Sequence, residues 1–309
     1  MAAVQRIGVV DLGTNSTRLL VADVDDGAVS EVERRTVVTR FGEGVDATGR
    51  LSDAAMERVA ETLGRYRQVI DRLGAERVVA VATSAMRDAE NGPEYREHLR
   101  DRFDIDARTI TGDEEARLTF WGATAARGET AATVVIDIGG GSTEYVVGRP
   151  RNDPDFYVST RMGSVRHTER FLPSDPPTEE ELAALAADAA RIVKEEVPCE
   201  VRASTEHGIA VAGTATTLAA IEQELDPYDR DRVHGYCLGL AAGERILRML
   251  AGLPLAERSK VTGLDPDRAP SIVAGAGILV ESIRAFGLDG VEISEADILH
   301  GAALAATDG

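Results

Sequence analysis

The chain has 309 residues, 43% of them hydrophobic, and a formal net charge of −19 at pH 7. This length allows two domains with separate cores, whereas the acidic balance argues against a broad basic surface for nucleic acid. No apolar run of about 18 residues occurs, so we predict no membrane span and no membrane partner. With no secretory signal, and with Cys199 and Cys237 at no metal-like spacing, we expect a cytoplasmic protein whose cysteines are reduced and structural.

The first 126 residues are predicted to fold as three strands followed by alternating helices and strands. The three strands fall at 5–10, 18–24 and 29–39. A long amphipathic helix is predicted over 53–73, with Ser52 as its N-cap and Gly74 as its terminator. The remaining predicted elements are a strand at 77–83, helices from 84 and over 93–103, a short strand at 106–110 and a helix over 111–126.

The same order of elements restarts near residue 132. Three further strands are predicted at 133–138, 143–148 and 156–162. A helix over 179–196 follows, opened by a capping box between Thr178 and Glu181. The later elements are a strand at 208–212, helices at 213–225, 241–251, 254–261 and 267–286, a strand at 291–294 and a final helix at 296–306.

This repeated order predicts an α/β protein made of two actin-like, ribonuclease-H-like lobes with a cleft between them. The N-terminal lobe is expected to span residues 1–126 and the C-terminal lobe residues 127–295. The final helix, at about 296–309, is expected to pack back on the first lobe.

The stretch Val134–Val147, VVIDIGGGSTEYVV, has the pattern of two strands joined by a glycine turn. A second version, VVDLGTNSTRLLVA, occupies Val9–Ala22, and Asp11 aligns with Asp137 at an offset of 126 residues (137 − 11). In the same alignment Gly13 falls on Gly139, Ser16 on Ser142, Thr17 on Thr143 and Arg18 on Glu144.

Each stretch has residues suited to a phosphate and its counter-ion. Glycines without Cβ, such as Gly140 and Gly141, let backbone N–H groups surround an anion, and hydroxyls add donors. An aspartate at the end of the first strand can hold a divalent cation beside that anion. One glycine-rich hairpin would be a weak signal, but two copies predict two phosphate loops facing a shared cleft.

Glu114 is our candidate general base, because it follows a predicted strand and begins a helix in TGDEEARL. The alternative is structural: Thr111 and Glu114 fit a T-x-x-E capping box, in which the carboxylate would only bond the Thr111 amide. Spacing alone favours the cap, although one residue can serve in both roles. Four of the histidines form no metal-ligand spacing, and none is assigned a catalytic role: His167, His207, His234 and His300.

Seven segments make the chain resemble the exopolyphosphatase / guanosine pentaphosphate phosphohydrolase family over nearly its whole length. In chain order they are DLGTNSTRLL, ATSAMRDAEN, ITGDEEARL, DIGGGSTE, MGSVRHTERF, VAGTATTLAA and RAPSIVAGAGIL. The resemblance is to a short form that lacks the C-terminal, HD-type helical domain of longer relatives. It implies removal of the terminal phosphate from linear polyphosphate, with short chains favoured, using Mg²⁺ or Mn²⁺.

The resemblance also implies roles for individual residues. Glu114 matches the glutamate that activates water, and Asp137 and Glu144 match acidic residues that bind metal or orient the nucleophile. Asp11 is expected to bind metal from the other lobe. Phosphate contacts are implied for the two loops, for three arginines and for a further turn, namely Asn15, Ser16, Thr17, Arg18, Arg87, Gly139, Gly140, Gly141, Ser142, Thr143, Gly213, Thr214 and Arg268. For Arg87 and Arg268 the alternative is a salt bridge, and Arg166 is expected to be structural.

Two other functions remain open at this stage. The enzyme could prefer guanosine pentaphosphate, or the protein could be a non-catalytic sensor of polyphosphate or alarmones. Retention of Asp11, Glu114, Asp137 and Glu144 argues against the sensor, since binding a polyanion does not require four carboxylates. Gly213 and Thr214 could also form an adenosine-side loop, which makes ATP a substrate to check. The family further leads us to expect inhibition by alarmones and a homodimer.

Overall fold

The computed structural model of the chain describes residues 4–25, 27–128, 131–150 and 152–307. It divides into two compact units, the first being Met1–Ala126 with Asp297–Gly309 and the second Arg127–Ala296. Parts of the predicted lobes and of the predicted final helix lie outside the described residues: 1–3, 26, 129, 130, 151, 308 and 309.

The first unit is built on a five-stranded sheet in the order β3-β2-β1-β4-β5. Its strands are β1 (Gln5–Leu12), β2 (Ser16–Asp25), β3 (Ala28–Val38), β4 (Arg77–Ala82) and β5 (Ala107–Thr109). Its helices are α1 (Val45–Thr48), α2 (Asp53–Leu73), α3 (Ser84–Asp88), α4 (Gly92–Phe103), α5 (Gly112–Thr124) and, from the end of the chain, α14 (Ile298–Ala305).

The central strand β1 is apolar along most of its length because both faces of the sheet are covered. Successive side chains point to opposite faces, so Val10 and Leu12 pack in one core with α2 and α4. Ile7 and Val9 face the other core, which includes Leu299 and Ala303 of α14. A strand buried on both faces reads as a continuous hydrophobic run, which is the pattern that made β1 predictable.

Helices α5 and α14 cross at a close glycine contact. A Cβ placed on Gly301 would lie 1.8 Å from the Leu118 carbonyl oxygen, and one on Gly122 would lie 2.0 Å from the Asp297 carbonyl oxygen. Only glycine therefore fits at these two positions. The contact holds the last helix of the chain against α5, which carries the candidate base.

The second unit contains a six-stranded sheet in the order β10-β11-β9-β6-β7-β8. Its strands are β6 (Thr133–Ile138), β7 (Thr143–Gly148), β8 (Phe156–Thr160), β9 (His207–Val211), β10 (Cys237–Gly239) and β11 (Gly290–Ile293). Its helices are α6 (Ser164–Phe171), α7 (Glu179–Glu196), α8 (Cys199–Ser204), α9 (Ala212–Glu222), α10 (Arg230–Val233), α11 (Leu240–Ala251), α12 (Leu255–Arg258) and α13 (Ile272–Phe286), with a 3-10 turn at Pro266–Arg268.

The two sheets share one plan. In each, the first three strands form an antiparallel meander, and the next strand pairs in parallel with the first: β4 with β1, and β9 with β6. The predicted fold class, α/β with two ribonuclease-H-like units, is confirmed.

Most predicted elements and caps form as expected. Ser52 caps α2, Gly74 ends it in the left-handed conformation, and Thr178 and Glu181 form the predicted capping box. The predicted helix over 267–286 is wrong at its start, because a 3-10 turn precedes α13. Short α1, α6, α8, α10 and β10 were not predicted, since they have too few residues for a clear periodicity.

The described residues contain no helix that is long and apolar enough to cross a bilayer. Cys199 and Cys237 are both free and exposed, so neither thiol packs in a core.

Candidate active site

The two glycine hairpins predicted from the sequence have the same backbone geometry. In the first, the Gly13 amide donates to the Ser16 carbonyl over 3.0 Å, and in the second the Gly139 amide donates to the Ser142 carbonyl over 3.0 Å. The strand registers also correspond, because Asp11 pairs with Arg18 and Asp137 pairs with Glu144. The offset of 126 residues in the sequence is therefore preserved as a structural repeat.

Two carbonyl groups of the first hairpin, those of Thr14 and Asn15, accept hydrogen bonds from the backbone of the 39–42 segment. The Thr39 and Arg40 amides both donate to the Asn15 carbonyl, over 3.0 and 2.9 Å, and the Gly42 amide donates to the Thr14 carbonyl over 2.8 Å. In a trans peptide the N–H of the next residue points opposite to the C=O. The amides of Asn15 and Ser16 consequently point away from the 39–42 segment.

The second hairpin achieves the same orientation with α6. The amides of Val165 and Arg166 donate to the Gly140 carbonyl over 2.9 and 3.1 Å, and the Ser164 amide donates to the Gly139 carbonyl over 2.9 Å. The Arg166 side chain donates through Nε to the Gly141 carbonyl over 2.8 Å. The next amides, those of Gly140, Gly141 and Ser142, therefore point away from α6, as a phosphate cradle requires.

Close packing fixes α6 against this loop. A Cβ placed on Gly163 would lie 2.4 Å from the Gly140 carbonyl oxygen and 2.6 Å from the carbonyl carbon of Gly141. Glycine at 163 thus lets the start of α6 approach the loop closely enough to make the hydrogen bonds.

Asp11 is a buried carboxylate with one oxygen bonded to Arg18. Its Oδ2 accepts from Arg18 Nε over 2.8 Å, whereas Oδ1 has no partner among the described residues. The Ser16 hydroxyl is likewise buried and without a partner in the described part of the chain. Burial raises the pKa of Asp11, and the Arg18 guanidinium only partly offsets this.

The orphaned Asp11 Oδ1 fits a divalent cation. Mg²⁺ binds oxygen ligands and is usually held by one or two carboxylates together with substrate phosphates and waters. Within the described ranges, no three His, Cys, Asp or Glu residues come together as a complete metal centre. A cation bound here would therefore need oxygens from its substrate or from water.

Arg18, which was predicted to contact phosphate, forms ion pairs with carboxylates of the protein itself. Besides Asp11, its guanidinium donates to Asp297 at the start of α14, and only 15% of its side chain is exposed.

In the second unit, Asp137 and Glu144 face each other across β6 and β7. Both are buried, and the Ser159 hydroxyl donates to Glu144 Oε1 over 2.7 Å. The hydroxyl of Thr143 donates to the Met162 carbonyl, and Thr17 shares a hydrogen bond with Thr39. These two threonines support their hairpins from inside, whereas the neighbouring serines are placed at the turns.

The first unit brings Arg87 and two glutamates to the edge of the sheet that carries the first hairpin. The Thr83 amide donates to the Leu12 carbonyl over 3.2 Å, which places the start of α3 beside that hairpin. From α3, Arg87 Nη1 contacts Glu115 Oε2 at 3.5 Å, and Glu115 is only 8% exposed.

The carboxylate of Glu114 has a different environment from that of Glu115. The Glu114 amide donates to the Thr111 hydroxyl, so Thr111 does cap α5. Its carboxylate, 37% exposed, accepts two hydrogen bonds from Arg108, over 2.8 and 2.5 Å.

Glu115 was missed at the sequence level, although a signal was present. Residues three, four and seven positions after it on the helix share its face. They are Leu118, Thr119 and Gly122, all buried, whereas the same positions after Glu114 are exposed Arg117, buried Leu118 and half-buried Trp121.

Gly213, Thr214 and Arg268 come together in the second unit. Asp137 pairs with Val211 in the parallel β6–β9 ladder, so the first residues of α9, which directly follows β9, lie at the same end of the sheet as the glycine hairpin. A Cβ on Gly213 would lie 1.7 Å from Arg268 Nη1, which shows that the guanidinium rests on this glycine. Their contact with phosphate stays a prediction.

His167 of α6 is buried next to Asp188 of α7, and the effect of this burial on stability can be tested. It is fully buried, with Nε2 3.3 Å from Asp188 Oδ2 but without hydrogen-bond geometry. Burial lowers the pKa of His167 from 6.5 to about 4, although Asp188 raises it.

Because the folded state resists protonation of His167, stability should fall as pH drops below 6.5, the pKa of the unfolded state. We expect wild-type protein to lose about 2 kcal/mol more than His167→Met between pH 7.5 and 5.0, measured by urea unfolding. Equal pH dependence of the two proteins would show that His167 titrates normally when folded.

The two repeated hairpins, each with carbonyls bonded inward and a buried aspartate, belong to an α/β protein of two ribonuclease-H-like units. Residues 20–307 match the Ppx/GppA phosphatase family, and the chain belongs to that family. It is 38% identical to Exopolyphosphatase 2 of Mycobacterium tuberculosis in an alignment 326 residues long, gaps included, that covers 98% of each protein. It is 30% identical to Exopolyphosphatase 1 of Mycobacterium bovis, with 93% of this chain and 84% of that protein covered.

Solved structures similar to this chain point to the same family. The crystal structure of the Aquifex aeolicus Ppx/GppA family member is 31% identical and has a TM-score of 0.83, covering 99% of this chain and 98% of that one. An exopolyphosphatase from Cytophaga hutchinsonii is 25% identical with a TM-score of 0.91 and the same coverage. The predicted family and the predicted enzyme class, a phosphoric anhydride hydrolase, are both confirmed.

Proposed function

We propose that the protein is an exopolyphosphatase that hydrolyses the terminal phosphate of linear polyphosphate with Mg²⁺ or Mn²⁺ and favours short chains. The observation that carries the proposal is the repeated hairpin, whose carbonyls are bonded inward so that successive amides point outward. Exopolyphosphatases of Mycobacterium and Cytophaga among the relatives support it.

Phosphoryl transfer depends on in-line positioning and charge neutralisation more than on covalent chemistry. The proposal assigns phosphate binding to the amides of 15–16 and 140–142 and to the hydroxyls of Ser16 and Ser142. A bound Mg²⁺ would supply charge neutralisation, and each unit offers buried carboxylates that would hold it: Asp11 in the first unit, and Asp137 and Glu144 in the second. Arg87 and Arg268 would contribute further positive charge.

A general base accepts a proton from water, and enzymes commonly tune a carboxylate for this role by burial and by its neighbours. Glu114, the base predicted from the sequence, is half-exposed and already accepts two hydrogen bonds from Arg108. Glu115 is buried beside Arg87. We therefore favour Glu115 over Glu114 for this role, and each residue can be tested separately.

A phosphate-release panel tests the proposed function. We expect Mg²⁺-dependent release from short polyphosphate, and slower release from long chains, guanosine pentaphosphate and ATP. Guanosine tetraphosphate added to the same assay tests alarmone inhibition. Faster release from guanosine pentaphosphate would favour the pentaphosphate phosphohydrolase, and calorimetric binding of polyphosphate without any release would favour a sensor.

A further inference from the structure

The Asp11–Arg18 pair is the inner end of a longer chain of buried and half-buried charged groups. Asp297 accepts from both Arg18 and Arg34, the latter through Nη2 over 3.2 Å. Arg34 also contacts Glu31 Oε1 at 3.4 Å, so positive and negative groups alternate along the chain.

His300 closes the outer end of this chain. Its Nε2 lies 3.0 Å from Glu31 Oε1, and its Nδ1 accepts the Asp297 amide over 3.3 Å. A ring nitrogen that accepts carries no proton, so the proton of this imidazole lies on Nε2, facing Glu31. The outer groups are thereby fixed around Asp297, which is only 1% exposed.

Arg18 is the link between Asp297 and the hairpin. One end of its guanidinium is held by Asp297, while Nε and Nη2 hold Asp11 Oδ2 at 2.8 and 2.7 Å. This arrangement leaves the second oxygen, Asp11 Oδ1, buried and without a partner among the described residues.

We propose that Asp297 is a positioning residue that acts through Arg18 to orient Asp11 toward a divalent cation. Without the Asp297 carboxylate, the Arg18 guanidinium would lose the anchor that holds its Nη1. It could then turn relative to Asp11, so that it binds both carboxylate oxygens or neither. The inference rests on the proposed function only in taking Asp11 as the cation ligand, and it does not depend on turnover.

Asparagine is the informative replacement at 297. It is as good an N-cap as aspartate, so Asp297→Asn keeps the cap of α14 and removes only the charge. Asp297→Ser, also a good cap, serves as the second variant if the first does not fold. Asp229→Asn is a matched control, because Asp229 caps α10 in the second unit and its replacement changes the net charge equally.

The measurement is Mn²⁺ binding to the 309-residue protein without substrate, followed by the electron paramagnetic resonance signal of free Mn²⁺. We expect Asp11→Asn to abolish tight binding and Asp297→Asn to weaken it about tenfold, the usual scale for groups that orient a ligand. Asp229→Asn should bind as wild type.

Arg18→Met separates positioning from a simple effect of charge. If Asp297 acts through Arg18, adding Asp297→Asn to Arg18→Met should leave the Mn²⁺ affinity unchanged, whereas a through-space effect would persist. Wild-type affinity in Asp297→Asn, a tenfold loss that persists without Arg18, or no Mn²⁺ binding by wild type would each overturn the inference. Normal Mn²⁺ binding without phosphate release would instead contradict the proposed function.

Discussion

Replacing Glu115 by glutamine is expected to lower phosphate release from polyphosphate by about 10² to 10⁴-fold, the usual contribution of a general base. Glutamine keeps the size of the side chain and can still accept from Arg87, which lies 3.5 Å from the carboxylate. The loss should therefore appear in kcat, with little change in the urea midpoint.

Glu114→Gln is the matched comparison, one residue away on the same helix. Its carboxylate forms an exposed pair with Arg108, so its loss should change the rate by no more than about threefold. The reverse result, with Glu114→Gln inactive and Glu115→Gln active, would restore the base predicted from the sequence.

Alanine at Gly163 should lower the rate of phosphate release by about 100-fold. The added methyl would overlap the backbone of Gly140 and Gly141, so either the loop or the start of α6 must shift. A displacement of about 1 Å near a reacting group can cost a factor of this size. Steady-state kinetics with short polyphosphate measures the effect.

Gly64→Ala provides the control for that substitution. Gly64 lies within α2, and a Cβ there would meet only Phe103, at 3.4 Å. Alanine is favoured over glycine in a helix by up to about 1 kcal/mol, so this variant should be fully active and equally or more stable. If Gly163→Ala keeps wild-type kcat and KM, the support of the loop by α6 is not needed for activity.

The repeat was predictable because it consists of residue types that few others can replace at these positions. Aspartate at a strand end, glycine in the turn and serine after it recur at one offset, and the hydrogen bond from Gly13 to Ser16 reappears between Gly139 and Ser142. Apolar β1 and β6 were predictable for a similar reason, since burial on both faces leaves a continuous hydrophobic run.

The surroundings of the hairpins were not predictable in the same way. Arg18 was expected to contact phosphate, but its partner Asp297 lies 279 positions away, and no local pattern reports such a pairing. The difference between Glu114 and Glu115 depends on which of them Arg108 and Arg87 reach. Helix α6 is short, and the close approach that explains Gly163 involves a loop more than 20 residues earlier.

The close contact of Gly122 with the segment that opens α14 has a consequence for biosynthesis. Helix α14 packs on one face of the first sheet, yet its residues follow the whole second unit in the sequence. During translation that face lacks the cover of α14 until residue 305 has left the ribosome, so the second unit is complete before the first. Ile7, Val9 and Leu20 therefore lack the cover of α14 for most of the synthesis of the chain. During this time their apolar side chains can bind chaperones or promote aggregation.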